Sequence, residues 1–543
     1  MTSAPLVNPQ TTEQPEKRKP GLLRSSFIVS MMTMLSRVLG LLRDISFAVF
    51  IGAGGAADPF FIAFRIPNFL RRLFSEGAFS QAFVPVLSEY REQRSFEEVK
   101  ALVDRVSGVL GMSLIAVTSL TVLAAPVVTM VFAPGFMQYP EKFKLTTDLV
   151  RITFPYLFLI SMTGFSGAIL NSYGRYGAPA FAPVLLNVCQ IAAAFISSKY
   201  FGEPTYVLAW GVLVAGVAQW TFQMPFLARI HLLPRPRWDH QHEGVRRILK
   251  MMLPALFGVS VSQINLLLDS VLATLLPTGS VSWLYYSERL HELPLGMFAI
   301  AISTVILPAL SRHRAMASVI DFSRTLDWAL RMILVIALPA SIALIVLGRS
   351  ILTTLFQYRE TTAHDAQMSA YALMAASTGL AAFMLIKVLA PGYYARQDMR
   401  TPVRVGIIAM VANMVFNLVL VIPLHLSFKH GFITQPLGHV GLAMAMALSA
   451  WLNAGLLAKG LLRDDIFQPQ AGWGSFCSKL LAATAAMGLL LWACDPSVAQ
   501  WQAWVWWQRI GVLTALCSAG MALYVALLYA FGFRLKDLRG PAV

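Results

Sequence analysis

The chain has 543 residues, of which 57% are hydrophobic and only 13% charged, with a mean hydropathy of +0.63. Soluble domains carry about 25% charged residues, so a water-soluble globule with a large apolar core is excluded and an all-α polytopic membrane protein is expected. The net charge of +16 would suggest nucleic acid in a soluble protein; here loop charge accounts for it, and no nucleic-acid partner is expected.

Residues 1–22 form a polar tail with Pro5, Pro9, Pro15 and Pro20, read as disordered and cytoplasmic. The apolar stretch that follows is longer than the roughly 7–15 residues of a signal-peptide core, so it reads as an uncleaved first span near 26–52. It carries Ser36, Arg37, Gly40, Arg43 and Asp44. The second span, near 58–88, carries Asp58, Arg65, Pro67, Asn68, Arg71 and Arg72. Spans near 106–132, 148–173, 180–200 and 205–228 complete an N-lobe over 23–230. Residues 231–247 hold Pro234, Pro236, Trp238, His240 and His242 and read as an irregular interfacial linker; two histidines without further ligands make no metal site. A C-lobe over 248–465 starts with a span near 248–275 that holds Ser260. Its next span, near 281–310, carries Tyr285, Glu288, Arg289 and Glu292. Spans near 325–348, 366–393, 402–423 and 437–460 follow. Lys387 stands alone in the fourth of these six, where it either neutralises a helix end or couples to an ion. Two further spans, near 474–494 and 507–531, lie in 466–535, and 536–543 is a tail. At about 20 apolar residues per crossing, the count is fourteen. Cys189, Cys477, Cys494 and Cys517 are scattered and suggest neither disulfides nor a metal.

Lysine and arginine placement tests the count, because cytoplasmic loops carry the excess. With the N-terminus inside, 28 basic residues fall in inside segments and 8 in outside loops. A wrong count would scramble that alternation, so both termini are expected in the cytoplasm. Seven basic residues remain within spans: Arg37, Arg43, Arg65, Arg71, Arg72, Arg289 and Lys387.

The second and eighth spans end alike, in Ser80-Gln-Ala-Phe-Val-Pro85-Val-Leu-Ser88 and Ser303-Thr-Val-Ile-Leu-Pro308-Ala-Leu-Ser311. Upstream, Ser36 matches Ser260, Phe61 matches Tyr285 and Arg65 matches Arg289, each offset by 224. An offset of six spans preserves orientation, so the lobes read as parallel repeats about an axis along the membrane normal, with a site between them. The last two spans lie outside the repeat.

A charge at mid-bilayer costs about 2.5–3.5 kcal/mol, so these arginines must face a wet cavity or one another. Arg37, Gly40 and Asp44, and Arg65, Asn68 and Arg72, follow i, i+3, i+7 spacing; Asp58 lies one heptad before Arg65. Tyr285, Glu288, Arg289 and Glu292 share a flank. Each is a polar stripe on an apolar helix. Arg71 and Arg72 either line the cavity or snorkel at a helix end, and Arg43 with Asp44 is either a structural ion pair or part of the site. Convergent guanidinium forks suit phosphate or carboxylate, and diphosphates above all. Asp44, Glu288 and Glu292 either moderate that positive charge and release the arginines to a substrate, or bind a coupling cation. No phosphate-binding loop, nucleophile elbow or zinc signature is present, so no catalysis and no cofactor is expected.

Ser36-Arg-Val-Leu-Gly-Leu-Leu-Arg43-Asp44, the run from Pro67 to Pro85, Tyr285-Tyr286-Ser-Glu-Arg-Leu, Phe356-Gln-Tyr358 and Ala390-Pro-Gly-Tyr-Tyr394-Ala-Arg-Gln-Asp398 resemble the MviN/MurJ lipid II flippases over about residues 22–535. The resemblance implies the fourteen-helix fold of the MOP exporters, in two six-helix lobes plus two helices that line a groove for a lipid tail. It implies transport of lipid II, the undecaprenyl-diphosphate-linked peptidoglycan precursor, across the bacterial inner membrane, among membrane lipids and beside the cell wall synthesis machinery. The family's essential arginines match Arg37, Arg43, Arg71 and Arg289, and its first-helix acid matches Asp44. Arg65 stands where some relatives have lysine, and Glu288 where many have aspartate, which changes side-chain reach. Rival readings are another exporter of this fold, for polysaccharide lipids or drugs, and a membrane glycosyltransferase. Drug efflux favours an acidic or aromatic cavity, and the transferase needs a large outside loop, which is lacking.

Overall fold

The computed structural model describes residues 22–72, 79–200, 203–316 and 318–534, the side chains at 22–27, 198–200, 253, 255, 257–262 and 300 excepted. Among the described residues the chain is helical throughout, without strands. The first repeat holds α1 (Leu22–Phe50), α2 (Ala57–Leu70), α3 (Ser80–Gln93), α4 (Phe96–Leu123), α5 (Ala125–Phe132), α6 (Pro140–Thr153), α7 (Tyr156–Ser172), α8 (Gly177–Tyr200) and α9 (Pro204–Ala228). The second holds α10 (Glu243–Thr274), α11 (Ser280–Pro294), α12 (Ile300–Ala315), α13 (Val319–Val346), α14 (Gly348–Leu355), α15 (Ala363–Ser377), α16 (Leu380–Tyr394), α17 (Arg400–Lys429) and α18 (Gly438–Arg463). The chain then adds α19 (Trp473–Cys494), α20 (Val498–Ala503) and α21 (Trp506–Ala530).

Every one of the fourteen expected spans falls on one of these helices or on a consecutive pair. Among the described residues, ten helices or continuous helix runs are long and apolar enough to cross a membrane, or eleven when α15 and α16, bent by 41°, count as one span. The other three expected spans lie over α1, over α2 with α3 and over α10. The second span is interrupted as Pro67 suggests: α2 stops at Leu70 and Arg71–Arg72 take a wider π turn. The eighth breaks at the equivalent place, where Leu295–Ala299 form a π turn after Pro294. The linker is shorter than expected, because α10 begins at Glu243. Asp104 of α4 holds it, accepting from the Arg235 amide at 2.8 Å, and Arg105 pairs with Asp239 at 2.9 Å. All four cysteines are free thiols.

The packing repeats like the sequence. In the first half α1 packs on α8, α8 on α9, α2 on α6, α3 on α4 and on α7, and α7 on α9. In the second, α10 packs on α17, α17 on α18, α11 on α15, α12 on α13 and on α16, and α16 on α18. Each contact of one list has its counterpart six spans later in the other. Helices α19 and α21 pack on each other and on α13 and α14, around Leu480, Met487, Leu516 and Tyr524, outside both repeats.

Two arginines outside the inter-lobe seam are structural. Arg331 lies within α13 and pairs with Asp327 at 2.7 Å, beneath the Trp473 ring. Arg509, 7% exposed, donates to the carbonyls of Thr353, Gln357, Gln502 and Trp504 at 3.0–3.2 Å. It meets the partial negative charge where α14 and α20 end, which fastens α21 to the C-lobe.

The lobes meet where α1 ends, and the pairs there are equivalent positions of the repeat. Gly54 abuts Thr278, Asp58 accepts from Ser282 Oγ at 2.6 Å, and the Phe61 ring lies parallel to Tyr285 at 3.9 Å. Residues offset by 224 face each other at one height, as a two-fold axis along the helices requires. Asp58 also accepts from the amides of Gly279 (2.8 Å) and Ser282 (3.0 Å) and from Lys142 Nζ (3.2 Å). It therefore caps α11 from the other lobe, where a carboxylate complements the helix N-terminus. Gly279 makes this possible: its φ of +101° suits a residue without Cβ, and a Cβ there would strike Trp283. Tyr286 Oη donates to the Gly52 carbonyl and Thr361 Oγ1 to that of Ala48, both at 2.7 Å. This end of the inter-lobe seam is sealed.

Candidate functional site

Beyond that seal lies a cavity of about 510 Å³ between the lobes. Its wall includes Arg43, Arg65, Asn68, Arg71 and Arg72 from the first repeat, and Tyr285, Glu288, Arg289 and Glu292 from α11. Nine residues of the polar stripes and their neighbours thus converge on one space.

The acids sort the arginines. Asp44, 2% exposed, offers Oδ1 to Arg43 Nη2 (2.7 Å), Arg43 Nε (3.0 Å) and Tyr285 Oη (2.7 Å). Its Oδ2 lies 4.0 Å from Arg289 Nε, so one carboxylate joins α1 to α11. Arg43 also donates to Asn187 Oδ1 at 3.2 Å. Arg65 pairs with Glu288 across the seam, and Arg289 with Glu292 at 3.0 Å. The Arg289 guanidinium lies over the Tyr285 ring, 5.0 Å from its centroid, where the ring face attracts a cation. All three acids are engaged by guanidinium groups. Arg43 with Asp44 is an ion pair, and Arg43 also lines the cavity. Arg71 and Arg72 line the cavity instead of snorkelling away from it.

Other expectations are corrected. Asp58 is in the seal, not the cavity, because one heptad along α2 from Arg65 is about 10 Å of rise. Ser36 faces α8: its carbonyl accepts from Asn187 Nδ2 at 2.8 Å. Asn68 keeps its place on the wall but donates back to the Phe64 carbonyl at 2.8 Å. The Ser260 side chain lies outside the described residues. Arg37 is absent from the cavity wall, and its guanidinium lies against Gly296 in the π turn. Any Cβ at Gly296 would overlap it, so Gly296→Ala should push the Arg37 guanidinium out of place and slow transport. Transport measured beside the membrane level of the variant checks this; an unchanged rate would make the contact incidental.

Lys387, left open between a helix end and an ion, lines the C-lobe side of the cavity, and His291 beside it is a residue that spacing did not single out. Deeper in that lobe, Asp269 Oδ1 accepts from Asn413 Nδ2 (2.9 Å) and Asn417 Nδ2 (2.8 Å), and Asn265 Oδ1 from Asn413 (3.1 Å). The signal was present: Asn265 and Asp269, and Asn413 and Asn417, are polar i, i+4 pairs on apolar helices.

A family model described as lipid II flippase MurJ matches residues 47–507. A probable lipid II flippase MurJ of Vibrio cholerae is 48% identical over 95% of this chain and 98% of its own length. The lipid II flippase MurJ of Burkholderia cenocepacia is 39% identical over 96% and 99%. Among solved structures, a lipid II flippase MurJ in an inward closed conformation superposes with a TM-score of 0.76 and 25% identity, covering 93% of this chain and 98% of that one. An inward-facing multidrug MATE transporter of the MOP superfamily shares the fold, with a TM-score of 0.63 at 14% identity over 82% of this chain and 100% of that one.

Proposed function

The chain belongs to the MurJ family of lipid II flippases, and from that membership we propose that it carries lipid II from the inner to the outer leaflet of the bacterial cytoplasmic membrane by alternating access of its inter-lobe cavity. It is a multi-pass membrane transporter of the MOP superfamily, not an enzyme. The observation that carries the mechanism is the set of arginines from both repeats, Arg43, Arg65 and Arg289, each held by a carboxylate against one cavity. A diphosphate offers two adjacent anionic groups to such forks, and charge-assisted, bidentate contacts are the strong ones. As the diphosphate enters, Asp44, Glu288 and Glu292 give up their arginines, and the ties between α1, α2 and α11 loosen with them. Arg37 and Arg71 complete the substrate-binding set, Arg37 from beside Gly296 in the π turn that follows α11.

With both termini cytoplasmic, the sealed end of the seam faces outward, and the Asp58 cap must break for release on that side. The lobes over 23–230 and 248–465 rock about the seam while 231–247 stays on the cytoplasmic face. The prenyl tail remains in lipid along the helices of 466–535, whose outer residues Leu481, Leu489, Met521 and Val525 are exposed and apolar. Delivered lipid II is passed to the cell wall synthesis machinery outside. Inside-negative potential, worth about 2.3 kcal/mol per charge per 100 mV, favours outward movement of the anion. Purified chain in liposomes should move labelled lipid II to the opposite leaflet; liposomes that keep it on the side of loading would refute the reading.

A further inference from the structure

We propose that Lys387 and His291 form a second anion-recognition corner in the C-lobe wall, which takes a carboxylate of the peptide carried on the lipid-linked head group. The inference rests on the flippase reading and adds a specificity element to the same cavity.

The corner is built by three helices. Phe383 and Lys387 stand i, i+4 on α16, so they share a face. Ser449 and Asn453 do the same on α18, which packs on α16, and all four line the cavity. His291 of α11 sets its ring edge-on to Phe383, centroids 5.4 Å apart. It is 5% exposed, and its Nε2 has no hydrogen-bond partner. A polar atom so buried is costly to leave unsatisfied, and here it borders a cavity with space for a ligand. Lys387 is exposed into that space. Among the described residues it forms no ion pair, whereas Arg43, Arg65 and Arg289 each have an acid. A cation at membrane depth without a counter-ion needs water or an anion.

His291, two residues from Arg289 on α11, joins this corner to the diphosphate set, and Lys387 carries it onto a second helix. The arginines sit along α1, α2 and α11 at the seam, while Lys387 stands on a helix that takes no part in it. A substrate with a diphosphate at one end of its head and a peptide with free carboxylates at the other presents its anions in this arrangement. An ammonium is a compact charge without a bidentate fork, so it suits a single carboxylate in a hydrated pocket. Neighbouring imidazole, amide and hydroxyl groups add hydrogen bonds without adding charge.

The test measures binding of the purified full-length protein to three probes: lipid II, lipid II with its peptide carboxylates converted to amides, and undecaprenyl diphosphate. K387Q should weaken lipid II binding by about tenfold, the scale of one charge-assisted contact, and leave undecaprenyl diphosphate binding unchanged. Amidation should weaken binding to the wild type by a similar factor and to K387Q hardly at all. K387R, which keeps the charge, should retain most of the affinity and controls for folding. Equal loss on all three probes would place Lys387 with the diphosphate arginines, and no loss would remove it from recognition; either overturns the proposal. Failure of the wild type to bind undecaprenyl diphosphate or lipid II would instead refute the flippase reading itself.

Discussion

Replacing Arg289 by glutamate should abolish translocation, by at least about a hundredfold, while the protein still reaches the membrane at its normal level. Arg289 touches three parts of the site: it pairs with Glu292, approaches Asp44 and lies over Tyr285. Reversal removes a guanidinium from the anion site and puts a carboxylate in its place. Two unit charges 4 Å apart at an effective dielectric of about 20 interact by about 4 kcal/mol, close to three orders of magnitude in binding. Folding is less exposed to the change, because Arg289 pairs with Glu292 of its own helix and Asp44, 4.0 Å away across the seam, keeps its pairing with Arg43. Complementation of growth with an immunoblot of the membrane fraction reads both quantities. Growth supported by Arg289→Glu would show that the diphosphate site is elsewhere.

The second large effect separates holding the lobes together from holding the substrate. Arg65 and Glu288 form an ion pair between α2 and α11. Arg65→Glu leaves two carboxylates facing each other at the seam, and Glu288→Arg leaves two guanidinium groups. Removing one partner of a partly buried pair costs about 3–5 kcal/mol, so each single reversal should lower both the amount of folded protein and its transport. The double reversal restores the pair and should restore the folded amount. Transport should stay depressed by about tenfold or more, because the cation then projects from α11 and not from α2. Full recovery of transport in the double variant would mean that this pair only ties the lobes. Detergent-solubilised monodispersity and a flipping assay on the same preparations distinguish the cases.

Much of the site was legible because charge in a membrane has few places to go. Arg43, Arg65 and Arg289 are conspicuous in apolar spans, and i, i+3 spacing puts Arg289 beside Glu292, whereas the pairing of Arg65 with Glu288 is made only when the lobes meet. The repeat was legible too, since Phe61 and Tyr285 carry matched aromatic rings at one offset, and those rings stack. Spacing along a helix gives a face, however, and not the height at which the opposite lobe closes. Asp58 shares a face with Arg65 but caps α11 in the seal, which depends on Gly279 turning its amide toward the other lobe. Arg37 could be assigned to depth but not to Gly296, because its contact is made by a π turn and a missing Cβ. Arg509 is an ordinary loop charge in sequence; only tertiary structure shows four carbonyls converging on it. The Asp269 cluster could have been found from its two i, i+4 polar pairs, and Lys387 stood out only as an isolated charge until the wall around it was assembled.

The central claim is that this chain delivers lipid II to the outer leaflet through an arginine-lined chamber. The most direct measurement is the leaflet distribution of lipid II in cells depleted of the protein and devoid of any other flippase, before and after the wild type or the Arg289→Glu variant is restored. Accumulation in the inner leaflet on depletion, with outward delivery regained only with the wild type, is the predicted result. Normal outer-leaflet delivery during depletion would contradict it.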